Sequence, residues 1–309
     1  MAESSPSPSA PPPSQPSRPP PVRSAPTGRG NSWLMDRFAT HSGTVVLETT
    51  GRSVNQRAFA AGRAVILFVD AVGHLKQAGR SLPLIIRQLE NAGFGSLFVL
   101  SLIAAMTGGI LAMQVGKTLD TFGATNQLGG IISVAFCREF GPMWAAIIIL
   151  SRVGAAYAAE LGTMTVNEEV DALRAMSIDP VRYLVMPRIL SLVIAMPLLA
   201  VVADCVGVLG GLVATRSLFN QPASEFFNSL SGALTATDIV SGMFKAAVFG
   251  AIIGTIACDR GLNTTDGAEG VGRSTTTSVV LNVIFVLFAD LVITWFILVP
   301  FAAIQNWVR

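Results

Sequence analysis

With 309 residues, 51% of them hydrophobic and only 13% charged, the chain has too little polar surface to cover a soluble globule, which carries about 25% charged residues. A net charge of +2 leaves no basic footprint for nucleic acid. The apolar residues come in long uninterrupted blocks and mean hydropathy is +0.58, so the composition predicts an all-α integral membrane protein.

Residues 1–32 are Pro, Ser and Ala with a few Arg. Such a segment cannot bury enough apolar surface to offset its ordering entropy, so a disordered extension is expected. It has no apolar core of signal-peptide type. Arg18, Arg23 and Arg29 against Glu3 also suit an organellar transit peptide, and a plain bacterial extension is the simpler reading. Residues 33–92 form a second region. Phe59, Val65, Phe68, Val69, Val72, Leu75, Leu82, Ile85 and Leu89 recur at helical spacing, with Arg57, Arg63, Lys76, Arg80 and Arg87 between them. Basic amphipathic helices of this kind lie in the membrane interface; a small soluble hairpin is the other reading.

The third region, 93–309, holds five expected spans: about 94–115, 129–159, 185–214, 237–258 and 279–303. Five spans put the two ends of this region on opposite sides. Ten basic residues precede span 1, whereas Lys117 alone lies between spans 1 and 2 and Arg216 alone between spans 3 and 4. The basic side is cytoplasmic, so the loops at about 160–184 and 259–278 are expected in the cytoplasm too.

The 160–184 loop carries the clearest local signals. Gly162 is placed to break the descending helix. Thr165 and Glu168 have the spacing of a capping box, and Glu168, Glu169 and Asp171 suit the positive end of a new helix. Val166, Val170, Leu173 and Met176 form its apolar stripe, and Pro180 ends it near Ile178. A short amphipathic helix here either packs on its own protein or membrane, or docks into a groove on a partner. Residue physics leaves both readings open.

The chain resembles the MlaE family, the permeases of MCE-associated phospholipid ABC transporters. The likeness rests on REFGP at 138–142, AELGTM at 159–164, EEVDAL at 168–173, IDP at 178–180, Pro187-Arg188 and RSTTT at 273–277. It covers about residues 80–303 and leaves the Pro-rich extension outside. The resemblance implies a five-span permease acting as a homodimer with two ATPase subunits, which hold ATP and Mg while this chain binds no cofactor. It further implies an MCE-domain lipid carrier, often a hexamer, and sometimes a STAS-domain protein. It makes the 160–184 loop a coupling helix, with Glu168, Glu169, Asp171, Leu173 and Arg174 as the residues facing the ATPase. It implies a bacterial inner membrane, with a plastid inner envelope as the alternative.

Charges within spans are costly, about 2.5–3.5 kcal/mol each on insertion scales. Counting at 1.5 Å per residue puts Arg138, Glu139, Lys245 and Asp290 about 12–15 Å below the exoplasmic ends of their spans. These four are expected to form one layer that clamps the helices, lines the lipid path, or both. Asp204 falls at similar depth. Met106 and Met113 in span 1, with Gly108, Gly109 and Leu111, are candidates for the cavity wall, although ordinary packing also explains them. The GxxxG pairs Gly207/Gly211 and Gly250/Gly254 permit close helix contacts, within one subunit more readily than across a dimer. Cys137, Cys205 and Cys258 lack CxxC spacing and read as small hydrophobes.

Gly116-Lys117-Thr118 is no P-loop, because position 111 is Leu and the stretch closes a helix. No catalytic triad is in sight, so the chain is read as a non-catalytic subunit driven by another protein. Two other readings stand: a stand-alone proton-coupled secondary transporter using Glu139, Lys245 and Asp290, and a membrane scaffold recruiting a cytoplasmic protein.

Overall fold

The computed structural model describes residues 62–74 and 82–307, with side chains through residue 296. The Pro-rich extension, His41 and most of the 33–92 region lie outside the described residues. Five helices are long and apolar enough to cross a membrane: α2 (Leu82–Thr121), α3 (Thr125–Val166), α5 (Val181–Phe219), α7 (Ala236–Leu262) and α8 (Gly267–Trp307). Three short helices accompany them: α1 (62–74), α4 (Glu169–Ala175) and α6 (Ala223–Ala233). Among the described residues there is no strand. The long helices alternate in direction. One end of the bundle carries α1 and α4; the other carries α6.

Each long helix contains one expected span and overshoots it. α2 starts at Leu82, so residues 82–92 are the first turns of the first spanning helix and not a separate interfacial piece. Pro83 is tolerated there because the first turn has no intrahelical use for its missing N–H. The stretch between spans 3 and 4 also holds a helix the apolar pattern gave no sign of. α6 buries Phe226 against Gly129, and the Gly130 N–H donates to Ser229 Oγ at 3.0 Å.

Small residues draw the bundle together. α2 buries Ala92, Ser96, Leu100, Ala104, Gly108, Ala112 and Gly116, one residue every four, a single stripe along the helix. Gly108 sits on the Gly207 carbonyl, Gly210 on Ala105, and Gly116 on the Phe219 ring. Without side chains at those points, the α2 and α5 backbones approach closely enough for extended van der Waals contact. Gly250 and Gly254 do the same for α7 against Leu192 and Ile189 of α5. Both GxxxG pairs therefore pack within the chain. Gly108→Leu is expected to cost at least about 1–3 kcal/mol by overpacking, read as a lower thermal midpoint in detergent. Leucine at the neighbouring exposed Met106 is expected to leave it unchanged.

At the α1/α4 end a second apolar cluster joins Ala71 of α1, Val170 of α4 and Leu161, Leu184, Val185, Met186, Ile189 and Cys258 of the long helices. α1 turns Leu67 and Ala71 inward and leaves Val65, Ile66, Val69 and Val72 exposed.

Candidate functional site

Toward the α6 end, a break in regular helix geometry builds a charged layer. Pro142 in α3 has no N–H to offer the carbonyl four residues back, that of Arg138. The chain accommodates it with a π turn over Phe136–Phe140. Lys245 of α7 fills the vacancy, donating from Nζ to the Arg138 carbonyl at 3.1 Å. The same ammonium reaches Glu139 Oε2 at 2.7 Å, Asp290 Oδ1 at 3.0 Å and Thr294 Oγ1 at 2.7 Å. The Thr294 hydroxyl in turn donates a hydrogen bond to Glu139 Oε1 at 3.2 Å. The Lys245 side chain is only 3% exposed, while Glu139 is 36% exposed. Three helices are thus tied at one depth by a buried cation whose carboxylate partner reaches the protein surface.

Arg138 does not join Lys245 through its side chain, contrary to the four-membered expectation. Its Nε donates to Asp238 at 2.6 Å. Asp238 opens α7 in a capping box: its Oδ2 accepts from the Thr235 N–H at 2.9 Å and from the Thr235 hydroxyl at 2.7 Å. The Arg138 side chain remains 47% exposed. Asp204 also stands apart from Lys245. It lies against Gly141, where a Cβ would collide with it, and its Oδ1 is buried with no hydrogen-bond partner.

The opposite end holds α4. Thr165 does not cap it. α3 continues to Val166, so the Thr165 hydroxyl bonds back to the Leu161 carbonyl at 2.8 Å and across to Gly261 at 3.3 Å. Nor does Gly162 break α3; it admits Thr264 of the α7–α8 turn. Glu168 turns the chain instead, with φ 61° in the left-handed region, and Ser177 turns it back with φ 60°. α4 is thereby shorter than the 165–178 expected. Val170 is buried and Leu173 half-buried in the second cluster, so both anchor α4 to its own bundle. Glu168, Glu169, Asp171 and Arg174 are exposed, with Arg174 bonded to Asp171 at 2.8 Å. Met176 and Ile178 are exposed as well and do not continue the buried stripe.

Pairs that the sequence gave no sign of brace this end. Arg188 of α5 is buried between Glu160 of α3, at 3.0 Å, and the face of Tyr157, at 5.5 Å. Asp259 of α7 meets Arg260 at 3.5 Å and Arg63 of α1 at 3.8 Å. His74 bonds the Asp70 carbonyl at 2.8 Å and stands 3.3 Å from Asp179. These pairs tie α5 to α3 and α1 to α7 at the end of the bundle that carries α4.

Met106 and Met113 are exposed on α2, whereas Gly108 is buried against α5. Cys137, Cys205 and Cys258 are free thiols, and no set of three potential metal ligands clusters among the described residues.

A family profile described as Permease MlaE matches residues 85–296. The chain is 36% identical over 249 residues to a probable ABC transporter permease protein of Rickettsia typhi, spanning 81% of this chain and 96% of that protein. It is 38% identical over 210 residues to a probable ABC transporter permease protein of Synechocystis, spanning 68% and 80%. It is also 37% identical over 211 residues to protein trigalactosyldiacylglycerol 1, chloroplastic, of Arabidopsis thaliana, spanning 68% and 60%.

Proposed function

From the premise that this chain belongs to the MlaE permease family, we propose that it passes a phospholipid or related lipid between its membrane and an MCE-domain carrier. The chain is a multi-pass permease subunit of an ABC transporter. ATP and Mg belong on partner ATPase subunits. A homodimer with two ATPases, an MCE hexamer and in some systems a STAS-domain protein makes up the working assembly. A bacterial inner membrane is the proposed site, with α4 on the cytoplasmic side. A plastid inner envelope is the alternative, supported by relatives in Arabidopsis and in Pyropia yezoensis.

The observation that supports this reading is the separation of a lever from a charged layer. α4 offers Glu169, Asp171 and Arg174 outward while Val170 fastens it to the long helices. The layer around Lys245 lies near the other end of those same helices. ATP-driven closure of the ATPases moves α4, and the bundle tilts as a packed unit because cores transmit displacement with little compression. The exposed edges of Arg138 and Glu139, with Met106 and Met113, then face a cavity that changes shape around a lipid. A guanidinium suits a phosphate head group, and thioethers suit variable acyl chains. The glycerolipid in the Arabidopsis relative's name is consistent with such cargo.

Co-purification tests the assembly. Extracted in mild detergent from cells that also express its neighbouring genes, the chain is expected to bring down an ATP-hydrolysing subunit. Recovery of this chain alone, with no ATPase activity, would overturn the reading.

A further inference from the structure

Seven or more residues in from both ends of the long helices, four basic side chains occur among the described residues: Arg138, Arg152, Arg188 and Lys245. Three of them have carboxylates within hydrogen-bond range. Arg152 has no acidic partner within 4.0 Å among the described residues, and it is exposed. A lone guanidinium at membrane depth needs a counter-charge from somewhere.

Its surroundings are built to hold it still. Arg152 lies in a second π turn of α3, Leu150–Gly154, a feature frequent at functional sites. The Nη1–Nη2 edge of the guanidinium closes on Gly95 of α2, where an added Cβ would collide with Nη1, Nη2 and Cζ. Nη1 donates to the buried Ser96 hydroxyl at 3.1 Å. The N–H groups of Nε and Nη2 meet no acceptor among the described residues, which leaves an open fork of the shape that grips a phosphate.

Depth narrows the ligand. Counted from the midpoints of α2 and α3, Ser96 and Arg152 lie about 8–10 Å to the α4 side of centre. That is inside a hydrocarbon core of about 30 Å, within an arginine's reach of the head groups. The side chain nevertheless turns sideways to Ser96 and does not extend along the helix toward water. Val99 and Leu102, one and two turns further along the Gly95 face toward the midplane, are exposed and apolar. A molecule with an anionic head at Arg152 and tails running toward the midplane fits this arrangement.

We propose that Arg152, Gly95 and Ser96 form a binding site for the phosphate of a glycerophospholipid drawn from the leaflet on the α4 side. The site is separate from the Lys245 layer. The transport reading names that leaflet cytoplasmic and the site a point of entry, but the binding itself needs no ATP.

Native mass spectrometry of the full chain in detergent tests it, with dioleoyl phosphatidylglycerol and dioleoylglycerol as tail-matched probes. The wild type is expected to retain phosphatidylglycerol at least about tenfold more strongly than dioleoylglycerol, as charge-assisted bonds allow. Arg152→Gln is expected to lose about that factor, Arg152→Lys to keep part of it, and Gly95→Val to weaken it by displacing the guanidinium. Should Arg152→Gln fail to fold, Arg152→Lys and Gly95→Val still decide. Unchanged phosphatidylglycerol retention in every variant that folds would overturn the site. So would competition by inorganic phosphate as strong as by the lipid, which marks a free-anion site. A third contrary result is loss of an oligomer with lipid retention intact, which marks a carboxylate on a second copy as the partner. None of these readouts depends on transport, so failure here leaves the ABC reading standing.

Discussion

Lys245→Glu is expected to destabilise the protein by about 3–5 kcal/mol and to abolish transport. Removing one partner of a buried ion pair leaves an uncompensated charge, which carries a penalty of that size. Here the substitution also sets a third carboxylate beside Glu139 and Asp290, now 2.7 and 3.0 Å from the ammonium. Two further acceptors, the Arg138 carbonyl and Thr294 Oγ1, lose their donor at the same time. The Arg138 carbonyl has no replacement, because Pro142 cannot bond it. Glu139 softens the loss slightly, since its outer edge is exposed. The charge-swapped double variant Lys245→Glu/Asp290→Lys is expected to recover part of the midpoint and part of the transport. Thermal unfolding in detergent checks the first, and lipid transfer in vesicles the second. Full transport by the single variant would mean that the ion pair is dispensable.

The second large effect is expected at α4, without loss of fold. Glu169 and Asp171 are exposed, and the Asp171–Arg174 pair is a surface bond worth about 0.3–0.5 kcal/mol. Replacing both acids by lysine therefore leaves the bundle almost as stable as before. If an ATPase groove reads this acidic face, like-charge placement at the contact costs several kcal/mol. The double variant is then expected to release the ATPase on purification and to reduce ATP-driven transport more than tenfold. Val170→Asp makes the contrast. It buries a charge in the cluster that fastens α4, so both the thermal midpoint and transport should fall. An α4 double variant that still binds the ATPase at wild-type strength would remove the lever from the mechanism.

Depth counting places Lys245, Glu139 and Asp290 at one level, because helix rise is regular and the spans stand out as long apolar runs. It missed the partner of Arg138 for two reasons. The π turn rotates that side chain out of regular register, and Asp238 sits where the apolar pattern begins, at the helix mouth. The signal for Asp238 was present: Thr235-x-x-Asp238 is a capping box ahead of an apolar run. Thr165 and Glu168 carry the same spacing without the function, since α3 does not end until Val166 and the hydroxyl turns back into its own helix. Local spacing cannot tell these cases apart; the difference lies in Gly261 and Thr264 packing against the end of α3. α6 gives no span signal because it is short and half polar; Phe226, Leu230, Ala233 and Ser229 hold it to the bundle. Arg152 is legible in the sequence as a charge inside the 129–159 span, but its pocket depends on Gly95 and Ser96, more than fifty positions away.

Proteoliposomes holding this chain, with and without its ATPase, give the most direct test of an externally driven lipid permease. The account predicts transfer of a fluorescent phospholipid to acceptor only when the ATPase and Mg-ATP are both present. Transfer driven by a pH gradient across vesicles that contain this chain alone would contradict it.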